Sequence, residues 1–201
     1  MKKNIRNVWC AVLNYHDTAK EVNTTAPLRE PIFFLKAGST ISDENESVIL
    51  PSFSQEVLYE IEIALQFNKN LDVEWVGLAL DLTARDLQRQ LEIQTFPWTI
   101  AKSFKGSCPI GRFFPIQSLD ALENLDFSLE VNGSLRQRGN TCNMVFSCNQ
   151  LIAYLLSHFP VCPYDLLLTG TPAGASQIKE EDRLIGKISD NYTASWAVHE
   201  S

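Results

Sequence analysis

Two glutamates sit inside an apolar run. The segment Leu58-Tyr59-Glu60-Ile61-Glu62-Ile63-Ala64-Leu65 alternates as a strand does, which places Glu60 and Glu62 on one face about 7 Å apart. A strand carrying Ile61, Ile63 and Leu65 packs against a core, and a core cannot hold paired acids without a counter-charge. A hard divalent cation is the simplest such charge. A third oxygen ligand stands nineteen residues beyond Glu62, at Asp81 in Ala79-Leu80-Asp81-Leu82-Thr83-Ala84-Arg85-Asp86. Three carboxylates with no adjacent His or Cys suit Mg²⁺ or Mn²⁺ better than Zn²⁺. A bare E-x-E more often marks a solvated acidic face, so the rest of the chain has to decide.

The 201 residues suffice for one domain (residues 1–201) with a sizeable core, and 45% apolar residues mark a globular chain. The net charge of −7, without a basic stripe, argues against nucleic acid and anionic membranes as partners. An anionic substrate would need help from a metal or from chosen Lys and Arg side chains. Cys10, Cys108, Cys142, Cys148 and Cys162 form no C-x-x-C pair and are odd in number, as expected of free thiols in a reducing compartment. Neither a membrane-spanning run nor a signal peptide is recognisable, so a cytoplasmic location is the expectation.

Strands are expected at 8–13, 32–36 and 74–81, with Val48-Ile49-Leu50-Pro51 leading into the acid-bearing strand. Residues 14–28 form a candidate mobile lid with a short helix from Asp17 to Val22, and Gly38 to Glu46 reads as a loop. Arg85 to Gln94 has helical spacing at Leu87 and Leu91. Asn132-Gly133 closes a hairpin between 126–131 and 134–138. Ser147 caps a helix running to about His158, and Leu166–Leu168 is a buried strand. Strands outnumber helices without regular alternation, which gives an α+β fold with mixed sheets.

Seven segments in order carry a resemblance. They are Phe33-Phe34-Leu35-Lys36, Glu60-Ile61-Glu62, Leu80 to Gln88, Ala101-Lys102-Ser103-Phe104, Cys108-Pro109-Ile110-Gly111, Val131-Asn132-Gly133 with Arg136-Gln137, and Leu168 to Gly174. Together they resemble the fumarylacetoacetate hydrolase family in its short, acylpyruvase-like branch. The resemblance implies a mixed β-sandwich roll, a homodimer, and a Mg²⁺ or Mn²⁺ site on Glu60, Glu62 and Asp81. It implies small 2-oxo acid substrates, whose carboxylate and keto oxygens can chelate such an ion.

Lys102 and Arg85 are the cations expected to face substrate oxygens, Arg85 by a planar hold on a carboxylate. An ion pair with Asp81 or Asp86 is the plainer role for Arg85. Gln88 would orient water or a substrate oxygen, or else lie on the helix surface. The Gly170 amide and Thr171 would hold a carboxylate, or merely close a turn. Lys36 would line the same pocket, or snorkel to solvent.

One position departs from the family pattern. Acylpyruvase-type members carry a His–Glu pair on the lid in the form N-Y-x-x-H-x-x-E, and Asn14 to Glu21 aligns with it. Glu21 falls on the Glu, but the His position is Thr18, which has no useful basicity near neutral pH. His16 lies two residues earlier, about 200° around a helix. The leading expectation is a Mg²⁺-dependent hydrolase of acylpyruvates such as fumarylpyruvate. Thr18 motivates the alternative, an oxaloacetate decarboxylase or tautomerase or a 2-hydroxyhepta-2,4-diene-1,7-dioate isomerase, because these need no nucleophilic water. A binder that turns nothing over is the third reading.

Overall fold

The structure is a computed structural model that describes residues 5–21, 29–43, 46–189 and 192–200, with the side chains of 19–21 excepted. Among these residues the α+β expectation holds. A six-stranded mixed sheet runs in the spatial order Phe114–Pro115, Val73–Leu80, Ile61–Phe67, Leu166–Leu168, Asn7–Ala11, Phe33–Ala37. Only Asn7–Ala11 and Leu166–Leu168 run parallel in it. A five-stranded sheet has the order Ser134–Asn140, Asp126–Val131, Arg183–Ile188, Tyr192–Glu200, Val48–Leu50.

The two sheets enclose the main core. Ile61–Phe67 is buried at every residue, the signature of a central strand covered on both faces. Tyr192–Glu200 alternates between buried and exposed positions, as a sheet with one wet face should. The sheets approach closely at Gly186, where a Cβ would stand 2.9 Å from Leu78 Cδ1 and 3.3 Å from Ile61 Cδ1. The Asn132-Gly133 turn forms as expected, both residues at positive φ (53° and 75°), joining Asp126–Val131 to Ser134–Asn140. Ser147 caps Cys148–His158 in a capping box with Gln150, and Leu151, Ile152 and Leu155 face inward.

Four expectations need correction. The acid-bearing segment is not one alternating strand. It breaks at Glu60, between Val57–Tyr59, which pairs with Thr83–Ala84 and Ser176–Gln177, and Ile61–Phe67 in the large sheet. At the break the Ile61 N–H finds no strand and donates to Gln137 Oε1 at 3.0 Å instead. Val48–Leu50 does not feed this segment; it pairs parallel with Val198–Glu200 in the other sheet. The segment Gly38 to Glu46 is not all loop, since Ile41–Ser42 pairs with Cys108–Pro109. The start of the candidate lid is anchored, because Asn14 and Tyr15 are each 1% exposed and the helix His16–Glu21 follows directly. The remainder of that segment, 22–28, lies outside the described residues.

Candidate active site

The strand register assembles the acids. Ile61 lies opposite Leu80 and Glu62 opposite Ala79, so Glu60 and Asp81, one step beyond the ladder, face each other at its end. The Asp81 N–H donates to the Glu60 carbonyl at 2.8 Å. One ligand oxygen from each of Glu60, Glu62 and Asp81 then falls within 4.8 Å of the others. Sequence separation vanishes because an antiparallel pair folds both ends to one edge.

Two lysines lie against these carboxylates. Lys102 comes from the short helix Thr99–Lys102, an element the sequence reading missed. Its Nζ reaches Glu60 Oε2 at 2.8 Å and Asp81 Oδ2 at 3.2 Å, and it also donates to Thr83 Oγ1. Lys36 is fully buried. Its Nζ stands 2.9 Å from Asp81 Oδ1 and donates to the carbonyls of Leu82 and Lys102. Snorkelling is therefore excluded, and Lys36 is absent from the cavity wall; it braces Asp81 from behind.

Electrostatics follow from this crowding. Burial raises the Glu60 carboxyl above its ordinary range, with Lys102 opposing and Asp81 reinforcing the shift. Glu62 is pushed well up by burial, then by repulsion from Asp81 and Glu60. Asp81 is also buried, but Lys102 and Lys36 outweigh that and hold it below its ordinary value. Burial opposes the charge on Lys102, yet Asp81 and Glu60 prevail and keep its ammonium protonated above the usual lysine range. Three ionised acids against two ammonium groups would leave one uncompensated negative charge in a buried place, which is why Glu60 and Glu62 hold their protons so tightly. That donor set, all oxygen and all convergent, fits a hard divalent cation.

Glu62 is aimed by the backbone. The Gly170 N–H donates to Glu62 Oε2 at 2.6 Å. The sequence reading gave that amide to a substrate carboxylate; it is already engaged with a carboxylate of the chain. Gly170 holds a φ of +97°, and a Cβ there would lie 2.8 Å from Asn14 Cβ, so glycine is needed for conformation and space alike. Thr171 Oγ1 donates to the Ile61 carbonyl and receives Gln137 Nε2 at 2.9 Å. Asn14 Nδ2 donates to the carbonyls of Phe146 and Thr169.

A cavity of about 470 Å³ opens over the acids. Its wall includes Glu60, Glu62, Asp81, Lys102, Arg85, Gln88 and Thr171, which brings together most of the residues singled out in the sequence. Thr18, Phe34, Glu92 and Trp98 also line it. Arg85 pairs with neither Asp81 nor Asp86. Its Nη1 donates to Gln88 Oε1 at 3.0 Å and lies 3.5 Å from Glu92 Oε1. Asp86 is occupied by Ser54 Oγ and the Gln55 N–H. Gln88 is buried, unlike a plain helix-surface residue.

The lid positions divide. His16 is exposed and absent from the wall, so the geometry gives a general-base role for it no support. Thr18 occupies the wall instead, with its hydroxyl donated to the Thr171 carbonyl at 2.7 Å. The Glu21 side chain lies outside the described residues. Sequence reasoning also passed over Gln137, Thr83 and Glu92. The first two lay inside matched segments, whereas Glu92 carried no signal beyond its i+7 spacing from Arg85.

Residues 7–192 match the family model for the fumarylacetoacetate (FAA) hydrolase C-terminal domain. The chain belongs to the fumarylacetoacetate hydrolase family. Its relatives span several named reactions. The Bos taurus protein named oxaloacetate tautomerase FAHD1, mitochondrial, is 36% identical over 189 residues, covering 89% of this chain and 85% of that one. A crystal structure of fumarylpyruvate hydrolase from Pseudomonas aeruginosa, in complex with Mn²⁺ and pyruvate, superposes with a TM-score of 0.88. It is 30% identical, with 98% of this chain and 91% of that one covered. A 5-carboxymethyl-2-hydroxymuconate delta-isomerase from Mycobacterium smegmatis superposes with a TM-score of 0.85 at 26% identity, covering 98% and 80%. Within the family, then, hydrolases, isomerases and tautomerases share this scaffold. No helix among the described residues is long and apolar enough to cross a membrane.

Proposed function

We propose that this chain is a divalent-metal-dependent enzyme that converts a small 2-oxo acid through enolisation, and that tautomerisation or decarboxylation of an oxaloacetate-type substrate is its reaction. The observation that carries the choice is Thr18. The lid position that bears a base in acylpyruvase-type members holds a hydroxyl tied to the Thr171 carbonyl, so water activation has no base at that place. The relatives named oxaloacetate tautomerase favour the same reading.

In this reading Glu60, Glu62 and Asp81 hold Mg²⁺ or Mn²⁺, which supplies Lewis-acid stabilisation of negative charge developing on a substrate oxygen. Gly170 keeps Glu62 oriented, and Lys102 and Lys36 together favour the ionised form of Asp81. Lys102, paired with Glu60 and Asp81, sets a positive charge beside the reacting end. Arg85 and Gln88 bind a substrate carboxylate across the cavity wall. Glu21, on the lid helix, is the group assigned to carry the proton. Pairing of two copies and a cytoplasmic location belong to the proposal as well; a sizing column with light scattering and cell fractionation test them.

A second reading, hydrolysis of an acylpyruvate, is favoured by the fumarylpyruvate hydrolase neighbour. Turnover of oxaloacetate and acetylpyruvate, each with Mn²⁺ or Mg²⁺ and then with excess chelator, separates the two. Chelator-sensitive keto–enol interconversion or decarboxylation of oxaloacetate, faster than with the metal ion alone and without cleavage of acetylpyruvate, supports the first. Chelator-sensitive cleavage of acetylpyruvate replaces it with the second, and turnover indifferent to chelator overturns both. Thr18→His is expected to raise hydrolysis relative to tautomerisation.

A further inference from the structure

Glu92 stands where the reaction above has no use for it. The helix Arg85–Ile93 presents Arg85, Gln88 and Glu92 to the same cavity wall. Seven residues at 1.5 Å rise put Glu92 about 10 Å farther along the axis than Arg85, away from the end where Asp81 and Thr83 enter the helix. Its carboxylate nevertheless turns back toward Arg85, with Oε1 3.5 Å from Nη1. Both side chains are about a third exposed, so the contact contributes little to folding. Arg89, on the adjoining face, is instead engaged with Glu56.

Resting on the 2-oxo acid reading, we infer that Glu92 is a specificity-determining residue: it occupies the outer side of Arg85 and closes the far end of the cavity to a second carboxylate. A short acid, anchored by its carboxylate and keto oxygen at the Glu60–Glu62–Asp81 end, does not extend to Glu92. A longer diacid places its distal carboxylate beside a like charge and must compete with Glu92 for the guanidinium. An uncharged tail of the same length, in a cavity whose wall also carries the apolar Trp98, meets no such repulsion. The preferred substrates are therefore short 2-oxo acids, or longer ones with an uncharged tail, and long 2-oxo diacids are disfavoured.

The test uses a matched pair of stable ligands, 2-oxohexanoate and 2-oxoadipate, which differ in the terminal carboxylate. Binding of each is measured by calorimetry with Mn²⁺ present, in wild type, Glu92→Gln and Glu92→Lys. Wild type is expected to prefer 2-oxohexanoate. Glu92→Gln should narrow that preference about fivefold, the size of one partly screened charge contact, and Glu92→Lys should invert it. Unfolding midpoints of the three proteins should agree closely, since the exposed pair contributes little. A preference that is the same in all three proteins overturns the role of Glu92 and leaves the 2-oxo acid reading standing. If neither acid binds any of the three, that reading fails and this inference fails with it.

Discussion

Lys36 Nζ lies 2.9 Å from Asp81 Oδ1, with the two side chains 0% and 2% exposed. A buried ammonium also bonded to two backbone carbonyls is a fixed part of the frame, and removing it strands a carboxylate. Lys36→Met is expected to destabilise the protein by about 3–5 kcal/mol, read from urea unfolding. Lys36→Met with Asp81→Asn should recover part of the loss. A double variant no more stable than the single one would show that the lysine acts by packing alone.

Gly170→Ala tests how Glu62 is aimed. The φ of +97° and the approach to Asn14 Cβ oppose any side chain there, with a strain of about 1–3 kcal/mol. Relief of that strain moves the N–H away from Glu62. Mn²⁺ affinity should drop about tenfold, the value of one hydrogen bond to a charged group. An affinity equal to wild type would mean that Glu62 is oriented by other contacts.

The raised carboxyls of Glu60 and Glu62 couple metal, pH and stability. A carboxyl whose folded pKa exceeds its unfolded value binds its proton more tightly when folded. Metal-free protein therefore gains stability from these two groups as pH falls through their folded pKa values and loses it as pH rises. Asp81 has the opposite sign, and its contribution is lost only below the ordinary aspartate range. A divalent cation requires the deprotonated acids, so the Mn²⁺-induced rise in Tm should grow as pH climbs from the ordinary glutamate range, about 4.3, toward neutrality. In Glu62→Gln the growth should be much reduced. A wild-type Tm increment that is flat across this range would contradict the assignment of Glu62.

Glu60 supplies the direct test of the centre. Glu60→Gln keeps the shape of the side chain but removes a formal charge beside Lys102. Mn²⁺ binding should weaken by a hundredfold or more, about 3 kcal/mol, and metal-dependent turnover should disappear. Full turnover in this variant would place the ion elsewhere.

The convergence of Glu60, Glu62 and Asp81 was legible because it needs only residue type and an antiparallel pair between two apolar runs. The turn at Asn132-Gly133 and the Ser147 cap were legible for the same reason: each is a local signal with a local cause. The break at Glu60 was not, since the group that replaces the strand there is Gln137, distant in the chain. The role of the Gly170 amide depended on which carboxylate reached it first, a matter of tertiary placement. Lys36 looked equally suited to solvent and to a pocket wall, and only the position of Asp81 decided its burial. Thr18, by contrast, was read from sequence as a missing base, and its bond to Thr171 shows what the hydroxyl does there instead.

The Thr169 carbonyl that receives Asn14 and the Gly170 N–H that grips Glu62 are the two poles of one amide. A donor at its oxygen draws electron density along that plane and makes its N–H a stronger donor. The Asn14 side chain at the root of the lid and the Glu62 carboxylate are therefore joined through a single rigid plate, and any tilt that Asn14 imposes on that plate reaches the hydrogen bond that orients Glu62.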